Sequence, residues 1–109
     1  MADRAAIGLA IGLAVIATAA SAEPPPARQD QLLHRLRHDC GSCHGMTLKG
    51  GLGPPLSPAA LAGRPTAGLA QVILEGVPGT PMAPWAFEIS PDEARWLVRQ
   101  LQQGIDDAG

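Results

Sequence analysis

The stretch Asp39-Cys40-Gly41-Ser42-Cys43-His44-Gly45-Met46 contains both cysteines of the chain and one of its three histidines. Two cysteines separated by two residues, with a histidine directly after the second, form the Cys-x-x-Cys-His pattern of covalent haem attachment. On one helical turn the two sulfurs can reach the two vinyl groups of a haem, and the imidazole can point at its iron. The pattern predicts Cys40 and Cys43 as covalent anchors and His44 as an iron ligand.

Other kinds of site use the same cysteine spacing, and each needs a further feature. A structural zinc site has four ligands, and His34 and His38 stand at i and i+4, so a Cys-Cys-His-His cluster stays open as an alternative. A thioredoxin-like dithiol expects a βαβ pattern, which this sequence lacks. A simple disulfide between Cys40 and Cys43 is the remaining alternative.

A haem iron bound by His44 has one further axial position, and the ligand there decides between electron transfer and ligand binding. The candidates after residue 22 are Met46, Met82, His34 and His38. Met82 is the predicted ligand, because prolines flank it in Gly79-Thr80-Pro81-Met82-Ala83-Pro84-Trp85 and limit how far this loop can swing. Met46 is only two residues from His44, so we expect it to pack at the rim of the haem.

The first 22 residues have the pattern of a secretory signal peptide. An apolar run covers residues 5–17, and Ala20-Ser21-Ala22 supplies a small-residue cleavage site, so the mature chain is predicted to begin at Glu23. An uncleaved membrane anchor is the alternative, because about 18 apolar residues can span a bilayer. The predicted organisation is a signal peptide over residues 1–22 and one monohaem domain over residues 23–109, with membrane contact only if the signal segment stays attached.

The amino-acid composition indicates which partners the protein can bind and how so small a domain can be stabilised. A net charge of −2 is too small to indicate a nucleic-acid partner. The chain has two tryptophans, one phenylalanine and no tyrosine, so the core of a domain of this size is marginal. Small domains of this kind usually add disulfides, a metal or a large apolar cofactor. Two cysteines exclude a disulfide framework, which leaves a metal or a cofactor.

Turn and capping signals predict an all-α architecture with long loops. A helix is expected over residues 27–39, running straight into the motif, followed by a short helical turn over residues 57–61 and a helix over residues 66–75. The last helix is predicted to begin after the N-cap Ser90, with a proline at its first position and a capping-box glutamate, and to end at Gly104. No segment alternates apolar and polar residues as a half-buried strand would.

The order of these motifs resembles the class I cytochromes c over nearly all of residues 23–109. The shared features are a helix, Cys-x-x-Cys-His-Gly, a Gly-Pro-x-Leu loop, a second helix, a Pro-Met loop and a C-terminal helix. The resemblance implies a fold of three to five helices wrapped around one covalently bound haem. It also implies, at Gly53-Pro54-Pro55-Leu56, that the backbone carbonyl of Pro54 accepts the ring N–H of His44 and orients that ligand.

Two stretches, CGSCHGMTLKGGLGPPL (residues 40–56) and GTPMAPW (residues 79–85), resemble the NirC-type monohaem cytochromes of denitrification gene clusters. This resemblance implies a periplasmic electron carrier rather than an enzyme, with redox proteins as partners and the cytochrome cd nitrite reductase as the candidate among them. Two other functions stay open. One is a maturation factor for the d-type haem of nitrite reductase, and the other is a ligand-binding haem protein in which Met82 is labile.

Overall fold

The computed structural model describes Gly8, Gly12 and residues 23–105. This part of the chain consists of helices and loops without strands, which confirms the predicted all-α architecture. The helices are α1 (Pro26–Arg35), α2 (Gly41–His44), α3 (Pro58–Leu61), α4 (Thr66–Glu75) and α5 (Pro91–Gln103), and a π-helical segment (Leu36–Cys40) joins α1 to α2. The predicted signal peptide lies outside the described residues apart from two glycines. None of the helices in residues 23–105 has the length and apolar character needed to cross a membrane.

The N-terminal helix begins one residue before its predicted start and changes its winding before the motif. Pro26 occupies the first helical position, where its missing N–H costs no hydrogen bond. From Leu36 the chain widens into a π-helical turn, in which the N–H of Gly41 donates to the Leu36 carbonyl five residues earlier. The predicted helix over residues 27–39 therefore does run into the motif, but its last turn is π-helical and not α-helical. Leu36 and Cys40, the first and last residues of this segment, both line one internal cavity.

The two middle helices have the predicted limits. At the N-terminus of α3, Ser57 Oγ accepts a hydrogen bond from the N–H of Ala60 (3.2 Å). Helix α4 ends before Gly76, whose φ of +68° lies in the left-handed region that glycine adopts without strain. The start of α3 and the end of α4 are therefore determined by residues at those helix ends.

Helix α5 supplies the largest share of the described core. Ser90 Oγ accepts from the N–H of Glu93 (3.2 Å), and the Glu93 carboxylate accepts from the N–H of Ser90 (2.9 Å), so the predicted capping box is confirmed. The buried side chains of α5 are Ala94, Trp96, Leu97, Val98 and Leu101. In the same cluster lie Leu32, Leu36, Leu61, Ala70 and Ile89 from the other segments. Helices α1, α3 and α4 thus pack around α5.

An ion pair connects α1 to α5. Arg28 Nε donates to Glu93 Oε2 (2.6 Å), and Nη2 of the same guanidinium donates to the backbone carbonyl of Glu88 (2.7 Å). The hydrogen bond from Arg28 lowers the pKa of Glu93 to about 2, and the hydrogen bond from the backbone of Ser90 adds to this effect. One carboxylate, only 18% exposed, therefore both caps α5 and joins it to α1.

We expect Glu93→Gln to lower the free energy of unfolding by about 1–2 kcal/mol at neutral pH, because it removes the charge but keeps an acceptor for the Ser90 N–H. The pKa of Glu93 is about 2 in the folded state, below its ordinary value of 4.5. Its stabilisation is therefore complete above the unfolded pKa and is lost as the pH falls through the folded pKa. Denaturant unfolding of the cofactor-loaded protein between about pH 7 and about pH 3 measures this loss.

Glu75→Gln is the matched control, since Glu75 is exposed, lies at the end of α4 and forms no ion pair with the other described residues. Its effect should stay below about 0.5 kcal/mol. Identical pH dependence of stability in the wild type and in Glu93→Gln would contradict the role of the carboxylate.

Candidate functional site

One cavity of about 740 Å³ collects the residues that the motif and the proline-flanked methionine loop predict. Cys40, Cys43, His44, Pro54 and Met82 all line it, although they come from the motif and two separate loops. The volume lies within the range of about 300–1,000 Å³ that is usual for small-molecule and cofactor sites. The structure therefore brings every predicted site residue to one place.

The two cysteines come from consecutive turns of one helical stretch. Cys40 ends the π-helical segment and Cys43 lies in α2, and both thiols are free and half-buried. Burial raises the pKa of the Cys40 thiol to about 11, and the negative charge of Asp39 adds to the effect. Ser42 Oγ donates to the Asp39 carbonyl (2.7 Å) and holds the turn between the two cysteines. Both sulfurs are thus available to one group in the cavity.

The imidazole of His44 is held by a backbone carbonyl. Its Nδ1 lies 2.8 Å from the carbonyl oxygen of Pro54. A carbonyl oxygen only accepts hydrogen bonds, so Nδ1 carries the hydrogen and Nε2 keeps its lone pair. Such a bond also increases the basicity of the ligating nitrogen. His44 is therefore in the tautomer that lets Nε2 bind a metal.

The loop after the motif reaches His44 because glycine stands at the point of contact. A Cβ on Gly53 would lie 2.7 Å from both Cε1 and Nδ1 of His44, which is inside van der Waals contact. The N–H of Gly53 donates to the Cys43 carbonyl (2.8 Å), and the N–H of Gly50 donates to the His44 carbonyl (2.9 Å). Sequence reasoning identified Pro54 but missed Gly53, whose only signal was its position directly before that proline.

The two residues directly after His44, Gly45 and Met46, do not line the cavity. Gly45 has a φ of +93°, and a Cβ there would lie 2.5 Å from the Gly50 oxygen, so this position requires glycine. Met46 is 64% exposed and does not line the cavity, in contrast to the expectation that it packs at the rim of the haem. Its Sδ lies instead beside Gly41, on the helical stretch of the motif.

Met82 reaches the cavity from a loop that lies against the C-terminal end of α4. The N–H of Val77 donates to the Met82 carbonyl (3.0 Å), and the N–H of Met82 donates to Thr80 Oγ1 (3.2 Å). Gly76 is so close to this loop that a Cβ there would lie 2.5 Å from the Met82 oxygen. The half-buried thioether is therefore positioned by the end of a helix and by its own loop.

Trp85 connects the cavity wall to α1. Its backbone N–H donates to the Ile73 carbonyl (3.0 Å), and it lines the cavity. The guanidinium carbon of Arg35 lies 5.7 Å from the Trp85 ring centroid, within the distance of a cation–π contact, and Arg35 also pairs with Glu88 (2.5 Å). Phe87 stacks on Trp85 with ring centroids 5.7 Å apart. The segment after Met82 is thus tied to both α4 and α1.

Apolar side chains form most of the remaining wall. They are Leu36, Leu52, Leu56, Leu61, Leu69, Val72, Ile73, Val77, Val98 and Leu101. Two charged side chains, Asp39 and Arg64, also line the cavity. Apolar walls, two thiols, one imidazole nitrogen and one thioether suit a large apolar group that is attached through sulfur and contains iron. The residues present therefore fit haem c.

The other sites considered for the cysteines lack what they need in this structure. Within residues 23–105, no group of three or more His, Cys, Asp and Glu side chains is placed to hold a metal ion, so His34 and His38 do not join the cysteines in a zinc cluster. The described segments contain no strand that could form a βαβ unit. Cys40 and Cys43 are not linked to each other.

Comparisons with known proteins lead to the same cofactor. Residues 27–99 match the family described as "Cytochrome C oxidase, cbb3-type, subunit III". The chain is 51% identical over 94 residues to "Cytochrome c55X" of Paracoccus denitrificans (strain Pd 1222), which covers 85% of this chain and 91% of that protein. The solved structure of a "c-type cytochrome NirC" matches with a TM-score of 0.73 and 54% identity, covering 74% of this chain and 95% of that chain.

A larger protein contains a similar part. The structure titled "Dihydro-heme d1 dehydrogenase NirN in complex with DHE" matches with a TM-score of 0.61 and 35% identity. The match covers 71% of this chain but only 17% of that chain. The likeness therefore concerns one part of that enzyme.

These matches confirm the predicted class I cytochrome c fold and the predicted resemblance to NirC. The cofactor is covalently bound haem c with its iron, as the family and the NirC neighbour imply. The chain therefore belongs to the c-type cytochromes, in the family of the cbb3-type cytochrome c oxidase subunit III.

Proposed function

We propose that the protein is an electron carrier of the periplasm in which His44 and Met82 are the two iron ligands. The observation that carries this proposal is that both residues line one cavity and that each is held there by backbone hydrogen bonds. Haem c, when bound, supplies an iron that gains and loses one electron. Two protein ligands leave no iron position for a substrate, which suits a carrier and not an enzyme.

The chain's own residues have separate roles in this proposal. Cys40 and Cys43 form the two thioether bonds, and the carbonyl of Pro54 keeps the His44 ring in one orientation. The apolar walls from α4 and α5 exclude water and disfavour the more highly charged ferric state. The thioether of Met82 favours ferrous iron, so it raises the reduction potential in the same direction.

The proposed partner is the cytochrome cd nitrite reductase. The support is the resemblance of residues 40–56 and 79–85 to NirC-type cytochromes, together with the relative named NirC. The periplasm is the proposed location, because residues 1–22 have the pattern of an export signal. Carriers of this kind use small, transient contacts with their redox partners.

One observation favours a second function, in the maturation of d-type haem. The chain is similar to part of a protein titled a dihydro-haem d1 dehydrogenase, at 35% identity and over 17% of that chain. A dehydrogenation releases electrons, and a c-type cytochrome is a suitable acceptor for them. In this alternative the protein would serve the synthesis of the cofactor instead of nitrite reduction itself.

Replacing Met82 by alanine tests the proposed axial ligand. We expect the near-infrared absorption of the Met-to-iron bond to disappear from the ferric protein, the ferrous protein to bind carbon monoxide, and the reduction potential to fall, because the thioether is lost. Met46→Ala is the matched control, since Met46 is exposed and lies outside the cavity, and it should leave all three properties unchanged. An unaltered spectrum in Met82→Ala would remove Met82 from the ligand set and favour a ligand-binding protein or another axial residue.

Replacing Gly53 by alanine tests the positioning of His44. A Cβ placed 2.7 Å from two atoms of the His44 ring must displace the ring or the loop and lengthen the bond to Pro54. We expect a loss of about 1–3 kcal/mol in the free energy of unfolding of the haem-loaded protein, the usual cost of overpacking, with a shifted haem absorption spectrum. Denaturant unfolding followed at the main haem absorption band measures the free energy of unfolding. The position of that band in the native protein shows the spectral shift.

Gly68→Ala is the control for this substitution. Gly68 lies inside α4 with no atom within 4 Å of its Cβ position, so alanine should stabilise the protein by up to about 1 kcal/mol. If Gly53→Ala behaved like Gly68→Ala, the close approach of the loop to His44 would not matter for the site.

Deletion of the gene separates the two proposed functions. For an electron carrier, nitrite reductase purified from the deletion strain keeps its d-type haem, and the reduced cytochrome is oxidised by this enzyme when nitrite is added. For a maturation factor, the purified enzyme lacks d-type haem. A reductase that lacks this cofactor would therefore argue against the carrier function and for the alternative.

A further inference from the structure

Two histidines remain after the haem site is assigned, and they lie next to each other on the surface. His34 is in α1 and His38 is in the π-helical segment, and their ring centroids are 4.2 Å apart. Residues at i and i+4 share one side of a helix, which explains the contact. Both side chains are exposed. His44 is the only other histidine of the chain.

Neither exposed ring is used by the rest of the described structure. Within residues 23–105, neither ring of the pair takes part in a hydrogen bond or an ion pair, whereas His44 is bound to the Pro54 carbonyl. The planes of the two exposed rings are tilted by 42°, so they are not stacked in parallel. An imidazole ring that carries one hydrogen has a second nitrogen with a free lone pair, so each exposed ring has an atom that can bind a ligand.

We propose that His34 and His38 form a surface site for one divalent transition-metal ion, for which Zn²⁺ is a suitable probe. Imidazole nitrogen is a preferred ligand of zinc, copper and nickel ions, whereas magnesium and calcium prefer oxygen. No third His, Cys, Asp or Glu in the described part of the chain completes a cluster around the pair, so water molecules fill the other coordination positions. The site is separate from the haem iron and independent of the proposed function.

The charges around the pair permit a cation. The neighbouring guanidinium of Arg35 pairs with Asp39 (3.3 Å) and Glu88 (2.5 Å), so its positive charge is matched by carboxylates. Besides the guanidinium groups of Arg28 and Arg35, both of which form ion pairs, the groove beside His34 is lined by the carboxylates of Asp30 and Asp39. These oxygens are suitable acceptors for water molecules bound to the metal. Arg37 is the adjacent cation that forms no ion pair with the other described residues.

Calorimetric titration of the untagged, haem-loaded protein with Zn²⁺ tests the site. We expect one Zn²⁺ per chain and no measurable binding of Mg²⁺. His34→Gln and His38→Gln should each weaken Zn²⁺ binding by at least about ten-fold, because even loss of a hydrogen-bond partner of a metal-bound histidine costs about 10- to 100-fold. The wild type should also be retained on a Ni²⁺-charged resin, from which both variants elute early.

Two controls make the result specific to this pair. Arg37→Gln changes an adjacent charged residue without removing a ligand, and it should keep the one-to-one binding of Zn²⁺. The haem absorption spectrum should stay constant throughout the titration and should be the same in all variants, which shows that they are folded and that the iron ligands are not displaced. Absent Zn²⁺ binding in the wild type, or unchanged affinity in both histidine variants, would overturn the proposal.

Discussion

The carbonyl of Pro54 has to lie within hydrogen-bond distance of His44 Nδ1, and the segment between these residues is shaped by that requirement. The chain turns back after α2 through Gly45, and Leu48 takes a φ of +59°, a left-handed conformation that costs a non-glycine residue about 1–2 kcal/mol. Two hydrogen bonds offset this cost. The N–H of Leu48 donates to the Gly45 carbonyl (2.8 Å), and its own carbonyl accepts from the N–H of Leu56 (2.9 Å). The strain is thus confined to the loop that orients the histidine.

The methionine on the other loop is positioned by similar means. Gly76 ends α4 and allows the backbone around Met82 to pack directly on the helix terminus, while Val77 forms a backbone hydrogen bond with Met82. At both loops, a glycine permits a close approach and backbone hydrogen bonds hold the geometry. Sites supported in this way keep their ligands in place more accurately than sites on free loops. This is why two long loops that contain prolines can serve a site that depends on fixed distances.

Local signals in the sequence predicted much of this architecture, and contacts between distant segments account for the rest. The caps of α3, α4 and α5 depend on residues within one turn, so Ser57, Gly76 and Ser90 could be identified without a structure. The π-helical turn has no such local signal in the sequence, and its first residue, Leu36, is buried beside the cavity. The orientation of Met46 was missed because a position two residues from His44 does not determine which side of the turn its side chain takes.

The core and the cofactor cavity share residues, and this joins stability to function. Leu36, Leu61, Val98 and Leu101 are at most 5% exposed, belong to the core cluster around α5, and also line the cavity. The hydrophobic cluster therefore continues into the cofactor site without a polar layer between them. A chain with three aromatic residues has little apolar volume of its own, and a covalently attached haem adds a large apolar surface that cannot dissociate. The apolar side chains that line the cavity are thus the same side chains that hold the helices together.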